Sequence, residues 1–203
     1  MYIHVKRILG LLLSLLALVV LSPLLLILSA IIRLTSPGPV FFRQRRVGIG
    51  KTHFMIYKFR TMRIDAPKDQ PTHLLKDPSA YITPVGRFLR RSSLDELPQL
   101  LNIIKGEMAV VGPRPALWNQ FDLIAERDKY GANDVRPGLT GWAQINGFRG
   151  DTPIKERVEH DLWYIENWSL WLDIQILLRT AFGGFVNEEQ RTDKTGEKEK
   201  TAV

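Results

Sequence analysis

The chain has 203 residues, no cysteine and a formal net charge of +7. That length suits one ordinary domain with an appendage and is too short for two, and the absence of cysteine excludes disulfides and thiolate metal sites. The charge is lopsided: residues 1–91 carry 15 Lys or Arg against 3 Asp or Glu, whereas residues 92–203 carry 13 against 18. A basic front half points to anionic partners, whether lipid headgroups, phosphorylated substrates or nucleic acid. His4, His53, His73 and His160 are scattered without ligand-like spacing, which argues against a histidine zinc site.

From Ile8 to Ile32 there are 25 residues without a charge, nearly all Leu, Ile, Val or Ala. A run this long and apolar reads as membrane-embedded. A straight helix of that length measures about 37 Å, but Pro23 removes one helical hydrogen bond and favours a kink. The arms on either side would be about 22 Å and about 14 Å, too short to span a bilayer separately. Lys6 and Arg7 precede the run and Arg33, Arg43, Arg45 and Arg46 follow it, so cations at both ends suit a hairpin with both ends on the cytoplasmic face. Ser22 can bond a carbonyl freed at the kink. The expectation is a re-entrant helix over residues 1–35, broken at Ser22-Pro23, with a kinked spanning helix as the alternative.

Ser36-Pro37-Gly38-Pro39 ends this segment. Val40–Arg46 and Phe54–Arg60 mix aromatic, β-branched and cationic residues around a glycine-containing connection, which predicts a hairpin. Gly50-Lys51-Thr52 is not a nucleotide P-loop, because Arg45 stands where the first glycine is required. Residues 65–80 read as a polar loop, Val85–Arg91 as a short amphipathic helix, and Pro98–Lys105 as a helix stopped by Gly106. Met108–Val111 reads as a short strand and Leu117–Tyr130 as a helix. Residues 135–147 are turn-rich, and helical patterns follow over Ile154–Glu166 and Leu170–Phe182. Trp163, Trp168 and Trp171 fit either a core or the headgroup layer. The fold class is α+β, mostly helical: the membrane helix over 1–35, a small membrane-associated catalytic domain over 36–186, and a disordered polar tail over 187–203.

The chemistry gathers at Arg90-Arg91-Ser92-Ser93-Leu94-Asp95-Glu96-Leu97-Pro98-Gln99. Ser93-Leu94-Asp95-Glu96 also fits a helix capping box, in which Glu96 would reach back to a backbone N–H. The functional alternative divides the labour: one carboxylate attacks a phosphorus atom while the other helps hold Mg²⁺, which takes few carboxylates beside phosphate oxygens and water. Arg114, bracketed by Pro113 and Pro115, reads as a guanidinium fork for phosphate. Lys58, Arg60, Arg136 and Arg149 are further cationic candidates. As a set they would supply the charge that a transferring phosphoryl group needs.

Five motifs in order carry a family resemblance: Ser36-Pro37-Gly38-Pro39, Tyr57-Lys58-Phe59-Arg60-Thr61-Met62, Ser93-Leu94-Asp95-Glu96-Leu97-Pro98-Gln99, Gly112-Pro113-Arg114-Pro115 and Arg136-Pro137-Gly138-Leu139-Thr140-Gly141. Together, over about residues 1–185, they resemble the bacterial sugar transferases, the monotopic polyprenyl-phosphate phosphoglycosyl transferases. The resemblance implies Mg²⁺-dependent transfer of a sugar phosphate from a UDP-sugar to undecaprenyl phosphate, at the cytoplasmic face of the bacterial inner membrane. It implies Asp95 as nucleophile, Glu96 as metal ligand with Asp95, and Lys58, Arg90 and Arg114 as site residues. It also implies a re-entrant helix broken at a Ser-Pro pair, matched by Ser22-Pro23. Asn146-Gly147-Phe148-Arg149-Gly150 departs by one place from the Asn-Gly-Arg of smaller members, whose arginine lies in the nucleotide site. This form and Tyr164–Trp171 are closer to members that start exopolysaccharide synthesis. Many of those carry an extra multi-span N-terminal region, and the chain reads as the catalytic core alone.

The alternative from another class is a non-enzymatic basic membrane anchor for lipid headgroups or nucleic acid. It gives Asp95, Glu96 and Arg114 no purpose, and the aromatic-basic pattern of nucleic-acid modules is missing. The expected partners are therefore the UDP-sugar, undecaprenyl phosphate and the phospholipid membrane, with no nucleic acid; a homodimer is the one protein partner considered.

Overall fold

The first helix, α1, runs from Tyr2 to Thr35 with Pro23 inside it. The computed structural model describes residues 2–67, 75, 77–148, 150 and 152–182. One face of α1 is turned inward along its whole length, through Ser14, Leu28 and Ile32. The other face is bare: Leu16 is 62% exposed, Val19 72% and Leu26 72%. This pattern does not include the break expected at Ser22-Pro23. Proline removes one donor, Ser22 Oγ donates to the Val19 carbonyl at 2.8 Å, and Leu24 and Leu25 pack against the body just beyond, so the helix continues.

Both ends of α1 rest on the same body. Near the start, Lys6 pairs with Asp173 at 3.0 Å and Arg7 Nη2 donates to the Ile104 carbonyl at 3.0 Å. Near the end, Leu28 and Ile32 join Phe59 and Leu89 in one apolar cluster.

The hairpin forms as the sequence predicts. Strand β1 (Phe41–Val47) pairs antiparallel with β2 (His53–Phe59), with Phe41 opposite Phe59 and Val47 opposite His53. Because side chains alternate along a strand, Phe54 and Ile56 point into the body and Lys58 shares their face. The helix α2 (Pro84–Ser92) starts on Thr83, whose hydroxyl accepts from Gly86 N, and ends on Ser93 in the left-handed region (φ 55°). A 3-10 segment, Leu94–Gln99, leads into α3 (Leu100–Lys105), which Gly106 closes at φ 88°.

Strand β3 (Ala109–Val111) pairs in parallel with β4 (Gly138–Thr140). Between them lies α4 (Phe121–Asp128), followed beyond β4 by α5 (Trp142–Ile145), α6 (Ile154–Asn167) and α7 (Leu170–Phe182). Two local expectations change. Leu117 is outside α4, because it bridges to Arg46 of β1 while its N–H donates to the Gln120 side chain at 2.9 Å. Residues 138–145, expected as turns, form β4 and α5. The tryptophans divide: Trp163 stacks on Trp142 with centroids 4.3 Å apart, Trp168 lies 5.4 Å from Tyr2, and Trp171 is 66% exposed. The expected tail over 187–203 lies outside the described residues, as does most of the expected loop between 68 and 76.

The β3–β4 pairing sets a tight backbone crossing beneath the Gly112–Pro115 loop. A Cβ on Gly138 would lie 2.1 Å from Gly112 N and 2.5 Å from the Thr140 carbonyl oxygen, whereas one on Gly50 would meet nothing. Gly138→Ala is therefore expected to destabilise the protein by more than about 3 kcal/mol, and Gly50→Ala by about 1 kcal/mol for its positive φ alone. Thermal unfolding of the two variants in one detergent checks this; equal losses would contradict the close crossing.

Candidate active site

The left-handed Ser93 at the end of α2 turns the chain sharply, so the next six residues form a 3-10 segment packed against β2. Buried Pro98 and Gln99 fix its far end. Asp95 is 9% exposed. Successive side chains of a 3-10 turn diverge by about 120°, so Asp95 and Glu96 approach the same space from different sides.

Glu96 does not cap the segment. No side-chain cap bond is made by Ser93. Instead Glu96 Oε1 accepts from Lys58 Nζ at 2.6 Å and lies 3.5 Å from Arg114 Nη2. The capping reading fails because a strand lysine and a loop arginine hold that carboxylate. Lys58 reaches it from the inward face of β2. Arg114 reaches it from the loop after β3, where its own carbonyl accepts from Arg127 Nη1 at 3.0 Å. Arg127 is held by a buried ion pair with Asp161 at 2.5 Å, joining α4 to α6. Arg90, in the last turn of α2, donates through Nε to Thr61 Oγ1 at 2.9 Å.

Arg46 escaped the sequence reading. Its guanidinium donates to the Pro115 carbonyl at 3.0 Å and to the Gln44 side chain, on the inward face of β1. It feels the charges of Arg114, Glu96 and Arg157. The signal was present: in a strand alternating inward and outward, Gln44 and Arg46 share parity with Phe42, which lies opposite Lys58. Arg157 and the Arg127–Asp161 pair carried no comparable signal, since they meet the loop only through the packing of α4 on α6.

The electrostatics follow from burial. Asp95 is pushed up to about 6, first by burial and then by repulsion from Glu96, against the opposing pull of Lys58, Arg90 and Arg114. Burial lowers Lys58, and Arg114 and Arg46 add to that, while Glu96 opposes it. Arg46 is pushed down to about 9 by burial and by the nearby Arg114 and Arg157. Cations outnumber carboxylates here, so the group is suited to an anion.

Two candidates stand elsewhere. Arg136 donates through Nε to the Gly106 carbonyl at 3.0 Å, at the end of α3 and beside Arg7, and is not among the charges acting on Asp95. The backbone after Asp134 carries it to the β4 end of the crossing, away from the carboxylates. Arg149 lies outside the described residues. Arg60, also considered, turns to the carbonyls of Ser36 and Pro37 and closes the junction after α1.

The family described as bacterial sugar transferase matches residues 1–187. The chain is 47% identical over 175 residues to a UDP-glucose:undecaprenyl-phosphate glucose-1-phosphate transferase of Xanthomonas campestris pv. campestris, covering 83% of this chain and 36% of that protein. It is 43% identical over 198 residues to the protein of the same name in Escherichia coli K12, covering 90% and 40%. It is 39% identical to the exopolysaccharide production protein ExoY of Sinorhizobium fredii, covering 86% and 83%. The chain thus spans about two fifths of the first two relatives' length.

The raised Asp95 has a stability consequence of definite sign. The folded protein holds this proton more tightly than the unfolded chain, so the contribution is complete below about pH 4 and is lost as pH rises through about 6. Asp95→Asn should be more stable than the parent at pH 7.5, by on the order of 1–3 kcal/mol, and no more stable at pH 4. Paired unfolding curves at the two pH values decide, and an equal difference at both would contradict the burial of a charged carboxylate.

Proposed function

The chain belongs to the bacterial sugar transferase family, and on that premise we propose that it moves a hexose 1-phosphate from a UDP-sugar to undecaprenyl phosphate. The observation that carries the reading is the buried Asp95 carboxylate beside a Glu96 that Lys58 and Arg114 hold away from any capping role. A structural helix cap needs neither the burial nor the cations.

Asp95 attacks the β-phosphorus of the donor with a carboxylate oxygen. The bond from that phosphorus to the bridging oxygen breaks, and UMP leaves with the electron pair. The enzyme then carries the sugar phosphate as an acyl phosphate on Asp95. A phosphate oxygen of undecaprenyl phosphate attacks the same phosphorus, the aspartyl bond breaks, and Asp95 returns as a free carboxylate. The product is undecaprenyl diphosphosugar. Lys58, Arg90, Arg114 and Arg46 neutralise the oxygens of the diphosphate and the departing nucleotide, where preorganised cations in a dry site act most strongly.

The donor set fits Mg²⁺. Among the described residues no group of three or more His, Cys, Asp or Glu could hold a metal, but Mg²⁺ is bound by one or two carboxylates with phosphate oxygens and water. Glu96 with Asp95 would hold it, and it would supply charge neutralisation to the diphosphate.

The bare apolar face of α1 supports a place in the membrane, which we set on the cytoplasmic side where UDP-sugars are found. A 34-residue helix is about 51 Å long. Crossing the bilayer would put its ends on opposite sides, yet one body touches both Lys6 and Ile32. The shared contacts at both ends therefore favour a helix that sits in the membrane face without crossing it, continuous through Pro23.

UMP release from UDP-glucose, UDP-galactose and their N-acetyl forms, with undecaprenyl phosphate in detergent, tests the proposal. Asp95→Asn should lower UMP release by at least about a thousandfold with every donor. Glu96→Gln should lower it less and weaken its response to added Mg²⁺. Full activity in Asp95→Asn would overturn the assignment.

A further inference from the structure

A cavity of about 80 Å³ lies between the first turns of α1 and the β3 strand. Neither Asp95 nor Glu96 lines it. Its wall is apolar, with Ile3, Gly10, Val110 and Trp168 among its residues, and it also includes Arg7 and Arg136. These two guanidinium groups converge on the end of α3. Arg7 donates to the carbonyls of Ile103 and Ile104, and Arg136 Nε donates to that of Gly106. Such contacts satisfy carbonyls left open at a helix C-terminus.

They do not balance the charge. Neither arginine makes an ion pair among the described residues, and the terminal nitrogens of Arg136 have no hydrogen-bond partner among them. Lys6, on the same wall, is already paired with Asp173. Asp134 also lines the cavity but pairs with neither arginine, and its charge reaches Lys51 instead. Two like charges side by side next to apolar surface call for an anion with an apolar body. The surface is continuous with the bare face of α1, where Ile3 is 50% and Ile8 58% exposed.

We propose that this cavity binds an anionic glycerophospholipid, its headgroup phosphate on Arg7 and Arg136 and a segment of acyl chain against Ile3, Gly10, Val110 and Trp168. The bound lipid fastens the N-terminal arm of α1 to the body. A free phosphate has no use for the apolar wall, and a zwitterionic headgroup brings its own cation to two others. The inference rests on the membrane placement of α1 proposed above and is independent of the transfer chemistry.

The test uses the delipidated full chain in detergent, with dioctanoyl phosphatidylglycerol as probe and native mass spectrometry as readout. One phosphatidylglycerol should be retained per chain, with dioctanoyl phosphatidylcholine bound at least about tenfold more weakly. Arg7→Gln with Arg136→Gln should lose at least about tenfold in affinity, and Arg7→Lys with Arg136→Lys should recover most of it. Gly10→Leu, which fills the cavity and leaves both charges, should also weaken binding. Equal retention of the two lipids, undiminished binding in the double glutamine variant, or displacement by millimolar inorganic phosphate would each overturn the proposal. Asp95→Asn should bind phosphatidylglycerol like the parent, so a failed lipid site and a failed transfer mechanism give different results.

Discussion

The contact of Lys58 with Glu96, 2.6 Å long and with both side chains 15% exposed, joins the parts of this molecule that matter. One partner comes from a strand of the hairpin and the other from the 3-10 segment after α2. Arg114 approaches the same carboxylate from a third element, the loop beyond β3. Removing either partner of a largely buried pair leaves an uncompensated charge, which typically costs 3–5 kcal/mol. The pair is therefore weak as a source of net stability and strong as a constraint on geometry. It keeps Glu96 from the backbone and leaves Asp95 next to it, buried, with Lys58, Arg90 and Arg114 as the positive charges acting on it.

The supports behind that contact explain the remainder of the fold. Arg127 and Asp161 form a buried pair whose guanidinium also holds the Arg114 carbonyl, so α4 and α6 set the position of the loop arginine. The glycine crossing of β3 and β4 brings Gly112 against Gly138 at a separation that admits no Cβ, and this fixes where the loop begins. The helix α1 adds the last constraint, since it packs on the hairpin side through Leu28 and Ile32 and on α7 through Lys6. A body clasped at both ends of one apolar helix keeps its carboxylates at a constant depth relative to that helix.

Much of this was legible in the residues. The hairpin, α2, α6 and α7 follow from apolar periodicity and turn residues, whereas the choice of Lys58, Arg90 and Arg114 beside Asp95 and Glu96 is implied by the family resemblance. What failed depends on distant partners. Strand β4 is three residues long and exists because β3 lies beside it, so Gly138–Thr140 alone reads as a turn. The capping box at Ser93 is a correct local pattern that tertiary contacts override. Arg136 sits in one of the five family motifs, yet its place is decided by the end of α3. Pro23 signals a break, but one missing hydrogen bond is a small loss against the packing of Leu24, Leu25 and Leu28.

The central claim is that Asp95 is esterified during turnover. Intact-protein mass spectrometry on the wild-type chain, quenched within milliseconds of mixing with UDP-glucose and no acceptor, followed by peptide mapping, addresses it most directly. The account predicts an adduct of one hexose phosphate on the peptide containing Asp95, discharged when undecaprenyl phosphate is added. Lipid-linked product accumulating without that adduct, or with the adduct on another residue, would contradict it.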